Sequence, residues 1–214
     1  MKNSQNEAIN KSVQTHPLKP FLPQNTKLLM LGSFPPPRSR WSMEFYYPNF
    51  INDMWRIMGL VFFGDKTHFL LDSKHFDKQR ITSFLSERGI GVADSVSSAV
   101  RLKDNASDNF LRVIERTDII AILRSVPQCE TIITAGEKST NEALASLNSS
   151  ELAKGLRLGE SVKITLSELG SRQIELFRLP SSSRAYPLQL EAKAQFYAKV
   201  FKQRGLEVKI ISQA

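Results

Sequence analysis

Short apolar runs alternate with amphipathic stretches along most of the chain. Short, mainly apolar runs cover residues 27–31, 90–93, 131–135 and 174–179, and the first run is followed by Gly32. The first run has the pattern typical of a strand that is buried on both faces, and the other three are comparable. The sequence therefore predicts four core strands.

Between these runs, apolar residues recur at intervals of three and four, which predicts helices. The predicted helices cover residues 49–59, 77–88, 108–125, 137–147 and 188–204. Strands that alternate with helices pair mainly in parallel, because a parallel neighbour needs a crossover, and the crossover helices then cover both faces of the sheet. The predicted fold class is α/β, a three-layer α/β/α sandwich with a central, mainly parallel four-stranded sheet.

The first 25 residues have a different composition from the rest. They are polar, contain prolines at positions 17, 20 and 23, and show no periodicity. We expect residues 1–25 to form a polar, proline-containing N-terminal arm. Residues 26–214 are then a single domain, which is long enough to bury a real core.

The charge balance favours one class of partner. The chain of 214 residues has 29 Lys and Arg against 21 Asp and Glu, a formal net charge of +8. Such an excess attracts polyanions, because neutralised phosphates release their condensed counterions. A solvated basic surface without a nucleic-acid partner gives the same count, so charge alone does not decide the function.

The remaining composition excludes several classes of site. One cysteine forms no intramolecular disulfide and no Cys-based zinc or iron–sulfur centre. The three histidines stand far apart without carboxylates at ligand spacing, so we predict no metal and no cofactor. No apolar run reaches the length of a membrane span, and the N-terminus has no apolar signal core. We expect a cytoplasmic monomer.

The candidate site lies in the segments that follow strands, because ligands of such sheets bind beyond the carboxyl ends of the strands. The segment after the first strand contains three consecutive prolines, several aromatic residues, Arg38 and Arg40. Arginines suit phosphate binding and aromatic rings suit base stacking. An equally weighted interpretation is a rigid loop whose aromatic residues belong to the core.

The segment after the last strand is rich in small hydroxyl residues. It contains Ser181, Ser182, Ser183 and Arg184, and a predicted helix begins shortly afterwards. Hydroxyls, backbone amides and a helix N-terminus all favour phosphate oxygens. The alternative is an ordinary serine-rich loop that caps the helix.

Four motifs, in their order and spacing, resemble those of a known protein family. They are Gly-Ser-Phe-Pro from Gly32, the pair Tyr46 and Tyr47, Asn52 three residues before Trp55, and a late Leu-Pro-Ser-Ser-Ser loop. Together they resemble the hypoxanthine-DNA glycosylase branch of the uracil-DNA glycosylase superfamily and, more distantly, the mismatch-specific glycosylases. The resemblance implies DNA repair by hydrolysis of the N-glycosidic bond of a damaged, flipped-out base, uracil or hypoxanthine/xanthine, with lesion-containing DNA as the partner.

The resemblance also implies roles for individual residues. Phe34 stands where many relatives carry the Asp or Asn that positions water, and in the hypoxanthine branch an Asn that matches Asn52 takes this catalytic role. The implied substrate-binding residues are Gly32, Ser33, Phe34, Tyr46, Tyr47 and Asp94. The implied DNA-binding residues are Arg38, Arg40, Ser181, Ser182, Ser183 and Arg184.

Departures from the family pattern keep other interpretations open. Asn49-Phe50-Ile51 replaces a His-Pro-Arg stretch, and Leu179 stands where some branches carry a catalytic His, so Asp53 is the nearest replacement acid. Asn52 could also be a solvated residue on a helix surface. The alternative function is a catalytically inactive DNA-binding module of the same fold. A nucleotide-binding enzyme is weaker, because Gly32 stands without further loop glycines.

Overall fold

The structure, a computed structural model, describes residues 12–103 and 108–209. Its strands are β1 (Gln14–Thr15), β2 (Leu28–Gly32), β3 (Ile90–Asp94), β4 (Val96–Arg101), β5 (Leu111–Arg116), β6 (Thr131–Ala135), β7 (Ser161–Leu166) and β8 (Arg172–Leu179). Its helices are α1 (Met54–Phe63), α2 (Lys78–Arg88), α3 (Ile119–Ser125), α4 (Glu137–Ser146) and α5 (Leu190–Gln203). No helix in these two ranges combines the length and the apolar character needed to cross a membrane.

The central sheet has five strands in the order β3-β2-β6-β8-β7. The pairs β2–β3, β2–β6 and β6–β8 are parallel, whereas β7 adds an antiparallel edge to β8. The four predicted core strands are therefore present, but the prediction of a four-stranded sheet is wrong, because the sheet is mixed and has a fifth strand. Only Ile164 and Leu166 of β7 are buried, so this strand lacks the continuous apolar run of a central one.

A second, antiparallel sheet has the order β1-β4-β5. The helix predicted over residues 108–125 is therefore wrong in its first part. Residues 111–116 form β5, and only residues 119–125 are α-helical. Leu111 is buried and Val113 half-buried, with exposed Arg112 between them, which is the alternation of a strand. Ile114, which a helix would bury, is 43% exposed.

Helices cover both faces of the central sheet. Leu28 and Met30 of β2 pack in one buried cluster with α1, α2 and α5, and Leu29 and Leu31 pack in a second cluster with α3 and α4. Successive strand residues point to opposite faces, so one apolar run contributes to both clusters. The layers are those of an α/β/α sandwich.

The described part of the N-terminal arm, residues 12–25, lies against both sheets. β1 pairs antiparallel with β4, and the backbone of Phe21 forms two hydrogen bonds with Val92 on β3. These pairings fix the intervening segment. They place His16 next to the last residue of β3, Asp94.

The only cysteine of the chain, Cys129, lies just before β6 and is fully buried. Its thiol donates a hydrogen bond to the Thr131 carbonyl oxygen at 3.4 Å. Burial is the main cause that raises the pKa of the Cys129 thiol to about 11. Cys129 is therefore a buried residue of the hydrophobic core.

Candidate functional site

A cleft of about 470 Å³ opens beyond the carboxyl ends of the central parallel strands. Such a volume accommodates a nucleoside-sized ligand. Of the thirteen residues that the sequence predicts for the site, eleven line this cleft: Gly32, Ser33, Phe34, Arg40, Tyr47, Asn52, Asp94, Ser181, Ser182, Ser183 and Arg184. The structure therefore brings together residues that are up to 152 positions apart in the chain, from Gly32 to Arg184.

Two of the thirteen residues do not line the cleft. Tyr46 is 3% exposed, stacks on His16 and donates its hydroxyl to the Lys19 carbonyl oxygen. Arg38 pairs with Glu44 and covers the Trp41 ring, with 4.0 Å between its guanidinium carbon and the ring centroid. Of the tyrosine pair, only Tyr47 is placed to contact a ligand in the cleft.

The floor of the cleft is formed where β2 and β3 end side by side. Gly32 is the register partner of Asp94, whose carboxylate folds back over the glycine. A Cβ on Gly32 would lie 2.2 Å from Asp94 Oδ1, closer than two such atoms can approach. A glycine is required here, because any side chain would displace this carboxylate from the floor of the cleft.

Asn52 lies in a turn just before α1 rather than within the helix predicted for residues 49–59. Its backbone N–H donates to the Asn49 carbonyl oxygen at 2.8 Å, and its Oδ1 accepts from the backbone N–H of Met54 at 2.8 Å. The Asn49 side chain accepts likewise from the N–H of Ile51. Asparagine side chains that bind nearby backbone in this way delay the start of a helix, which explains why α1 begins at Met54.

Arg56 holds this turn in place. Its Nη1 donates to the carbonyl oxygens of Phe50 at 2.7 Å and Asn52 at 3.1 Å. Its guanidinium carbon also lies 4.6 Å from the Phe50 ring centroid and 5.3 Å from that of Phe76. One side chain therefore holds the backbone that carries Asn52, and no sequence pattern identifies Arg56 in this role.

A buried ion pair joins the Asn52 turn to the serine-rich loop. Lys193 of α5 is 1% exposed, and its Nζ donates to Asp53 Oδ2 at 2.9 Å and to the Ser183 carbonyl oxygen at 2.8 Å. Arg184 Nε lies 3.4 Å from Asp53 Oδ1, and the Asp53 N–H donates to the Ser182 carbonyl oxygen. Asp53 is thus a structural anion rather than the replacement acid that the sequence favoured.

Asp108 is a site residue that the sequence analysis missed, because it was placed at the start of a helix. It lines the cleft and accepts a hydrogen bond from Ser33 Oγ at 2.7 Å. Burial raises the pKa of the Asp108 carboxyl, and the nearby charge of Asp94 acts in the same direction. A carboxyl that retains its proton more readily is suited to donate it during a reaction.

No family model and no curated protein sequence matches this chain. Among solved structures, it is similar to a solution NMR structure from Methanosarcina acetivorans, a protein provisionally described as a uracil DNA glycosylase. The TM-score is 0.60 at 22% identity, over 90% of this chain and 98% of the other. The two proteins share a fold, which is the fold that the sequence resemblance implied.

Proposed function

We propose that this chain is a monofunctional DNA glycosylase that hydrolyses the N-glycosidic bond of a damaged base, uracil or hypoxanthine/xanthine, flipped out of DNA. The observation that carries the proposal is the convergence of Asn52 and Asp94 on one cleft, with Arg40 and Arg184 also lining it. A polar floor suits a base, and arginines suit the flanking phosphates. The shared fold adds support to this assignment.

The chemistry assigned to Asn52 is the orientation of a water molecule. Its Oδ1 already accepts from Met54, and a carbonyl oxygen has a second lone pair for a water proton. The bond from C1′ to the base breaks first, and the departing base takes the electron pair. The water oxygen then bonds to C1′ and loses a proton to solvent, while the base gains a proton, for which Asp108 is the candidate donor.

A second candidate function is a DNA-binding module without turnover. The specific observation in its favour is that the Asn52 oxygen is engaged in the turn before α1, because it accepts from the Met54 N–H. Phe34 lines the same cleft and supplies no acceptor in its place. This candidate keeps the DNA partner and the cleft but requires no reaction there.

The test is an excision assay with matched oligonucleotides that contain uracil, hypoxanthine, xanthine or the intact parent base, each as single strand and duplex. Abasic sites are cleaved with alkali after incubation, and DNA affinity is measured in parallel. Strand cleavage at one or more of the damaged bases supports the glycosylase. Binding without cleavage of any of these substrates contradicts it and favours the binding module.

DNA affinity is expected to depend steeply on salt. If Arg38, Arg40 and Arg184 each neutralise one phosphate, the slope of log affinity against log salt is about −2.7, so affinity falls about 40-fold between 50 and 200 mM salt. Fluorescence anisotropy with an undamaged duplex at four salt concentrations measures this slope.

Arg40→Ala should reduce the magnitude of the slope by about one, because one released counterion is lost. Lys74→Ala is the matched control, since this exposed lysine does not line the cleft. A slope near zero for the unmodified protein, or equal changes in the two variants, would remove the cleft arginines from the DNA interface.

A further inference from the structure

The serine-rich loop, residues 181–184, is held by helix α5. Lys193 and Tyr197 lie one turn apart on this helix, on the same face, and are 1% and 0% exposed. The Tyr197 hydroxyl donates to the Pro180 carbonyl oxygen at 2.9 Å, and Lys193 Nζ donates to the Ser183 carbonyl oxygen at 2.8 Å. Two buried side chains of α5 therefore fix the backbone at two points along this loop.

The loop is also fixed to the central sheet. The Gly136 N–H, between β6 and α4, donates to the Leu179 carbonyl oxygen at 3.0 Å. Gly136 has a φ of 97°, and a Cβ at this position would lie 3.1 Å from the Cβ of Ser181. Glycine allows the corner between β6 and α4 to pack closely against the loop. The position of the loop is thus set by the sheet and by α5 together.

The Asn52 turn is joined to this loop through the residue that follows Asn52. The Asp53 N–H donates to the Ser182 carbonyl oxygen at 2.8 Å, and Asp53 Oδ2 accepts from Lys193 Nζ at 2.9 Å. Since Lys193 also donates to the Ser183 carbonyl oxygen, one ammonium group contacts both sides of the junction. The backbone of Asn52 consequently keeps a set position relative to the loop, and both line the cleft.

The buried pair fixes geometry more than it adds stability. Removing two charges from water costs energy that their attraction only partly offsets, and apolar side chains of similar volume are often equally stabilising. Apolar contacts would leave directions open, whereas the Lys193 ammonium must meet Asp53 and the Ser183 carbonyl oxygen at once. Arg184 is 55% exposed and lies 3.4 Å from Asp53. It can leave this contact for a phosphate while Lys193 keeps the carboxylate paired.

We propose that Lys193, which does not line the cleft, is a positioning residue that holds Asn52 at the distance from the serine-rich loop that the reaction requires. This inference rests on the proposed function, in which Asn52 orients the water and the loop binds the DNA that carries the target sugar. The distance between them then decides whether the water meets C1′. A misplacement of about 1 Å caused far from the chemistry reduces a rate by up to about 100-fold.

The test is a double variant, Asp53→Asn with Lys193→Met, which removes both charges with little change in volume. Single-turnover excision at saturating protein is measured well below the thermal midpoint, with duplex affinity in parallel. Excision should fall about tenfold or more, because the turn and the loop lose their common partner. Affinity should stay within about threefold, since the exposed arginines remain. A double variant that excises at the normal rate would overturn the proposal.

Arg172→Met is the matched control for a general loss of stability. Arg172 is half-buried and donates to three backbone carbonyl oxygens, but it lies at the first residue of β8, whereas the cleft lies beyond the last. Arg172→Met should lower the thermal midpoint and keep excision within about twofold, because positions so far apart act independently. If excision in both proteins followed only the thermal midpoint, Lys193 would have no positioning role.

A background without the Asn52 side chain tests whether Lys193 acts through it. In Asn52→Ala, adding the double substitution should reduce excision by no more than about a further twofold, since residues that act as one unit are not additive. The same tenfold loss in this background would show that Lys193 acts by another route and would contradict the proposal.

Hydrogen exchange of the Asp53 amide separates this inference from the proposed function. It is measured by NMR without DNA, so it depends on no reaction. Lys193→Met should make this amide exchange about tenfold faster, because its bond to the Ser182 carbonyl oxygen opens locally, and Arg172→Met should not. If the unmodified chain excises no base, the glycosylase falls, and faster exchange leaves the positioning of Asn52 standing. Unchanged exchange overturns the positioning role whatever the excision rate.

Discussion

Asn52→Ala is expected to reduce the excision rate by about 100-fold or more while duplex binding stays within about threefold. The reason is that alanine removes the oxygen assigned to orient the attacking water, and catalysis by positioning is lost when one group no longer holds a reactant. The measurement is single-turnover excision of the best damaged base from the panel, with anisotropy for DNA affinity.

The structural role of the Asn52 side chain must be separated from its chemistry. Losing the hydrogen bond from the Met54 N–H should cost about 1 kcal/mol of stability, so all assays are run well below the thermal midpoint. Asn52→Asp keeps an oxygen acceptor and should retain the activity, and Asn141→Ala, on the exposed face of α4, should change nothing. An Asn52→Ala protein that excises at the normal rate would remove this residue from the mechanism.

Lys193→Met is expected to have the largest effect on stability, a loss of about 3 kcal/mol in the free energy of unfolding. The substitution leaves the carboxylate of Asp53, which is 8% exposed, without its buried partner. Breaking a buried pair from one side typically costs about 3–5 kcal/mol, and the remaining contact with Arg184 at 3.4 Å keeps the expected loss near the lower limit. Urea unfolding followed by circular dichroism measures it.

A second lysine of the same helix provides the control. Lys199 of α5 is exposed, so Lys199→Met should change stability by less than about 0.5 kcal/mol. The double variant Asp53→Asn and Lys193→Met should lose less than the sum of its single losses, because the buried charge is removed with its partner. Equal midpoints for Lys193→Met and Lys199→Met would show that the pair contributes nothing to stability.

The central strands were predictable because they are buried on both faces, and the edge strands were not. Residues 90–93 and 131–135 are mainly apolar runs that match the observed strands β3 and β6. β7 and β5 bury only part of one face, so their alternation is weaker. The sequence pattern predicts no element at β7 and a helix at β5. Alternation at Leu111 and Val113 was the signal that could have identified β5.

Part of the cleft lining could be predicted from the sequence, because ligand sites follow strand ends in this class of fold. The contacts that hold the site residues in place could not be predicted. His16 lies 78 positions from Asp94 and Lys193 lies 140 positions from Asp53. Such pairs depend on how distant segments of the chain meet in the fold. No periodicity in a single sequence indicates which residues will be in contact.

The buried thiol of Cys129 has a practical consequence for studying this protein. Thiol reagents attack the thiolate, and a side chain that is fully buried with a pKa of about 11 presents almost none at neutral pH. The unmodified chain should thus remain unlabelled by maleimide dyes under native conditions. A cysteine introduced at an exposed position such as Leu71 would then carry the only fluorophore, so DNA docking could be followed by energy transfer without first removing the native thiol.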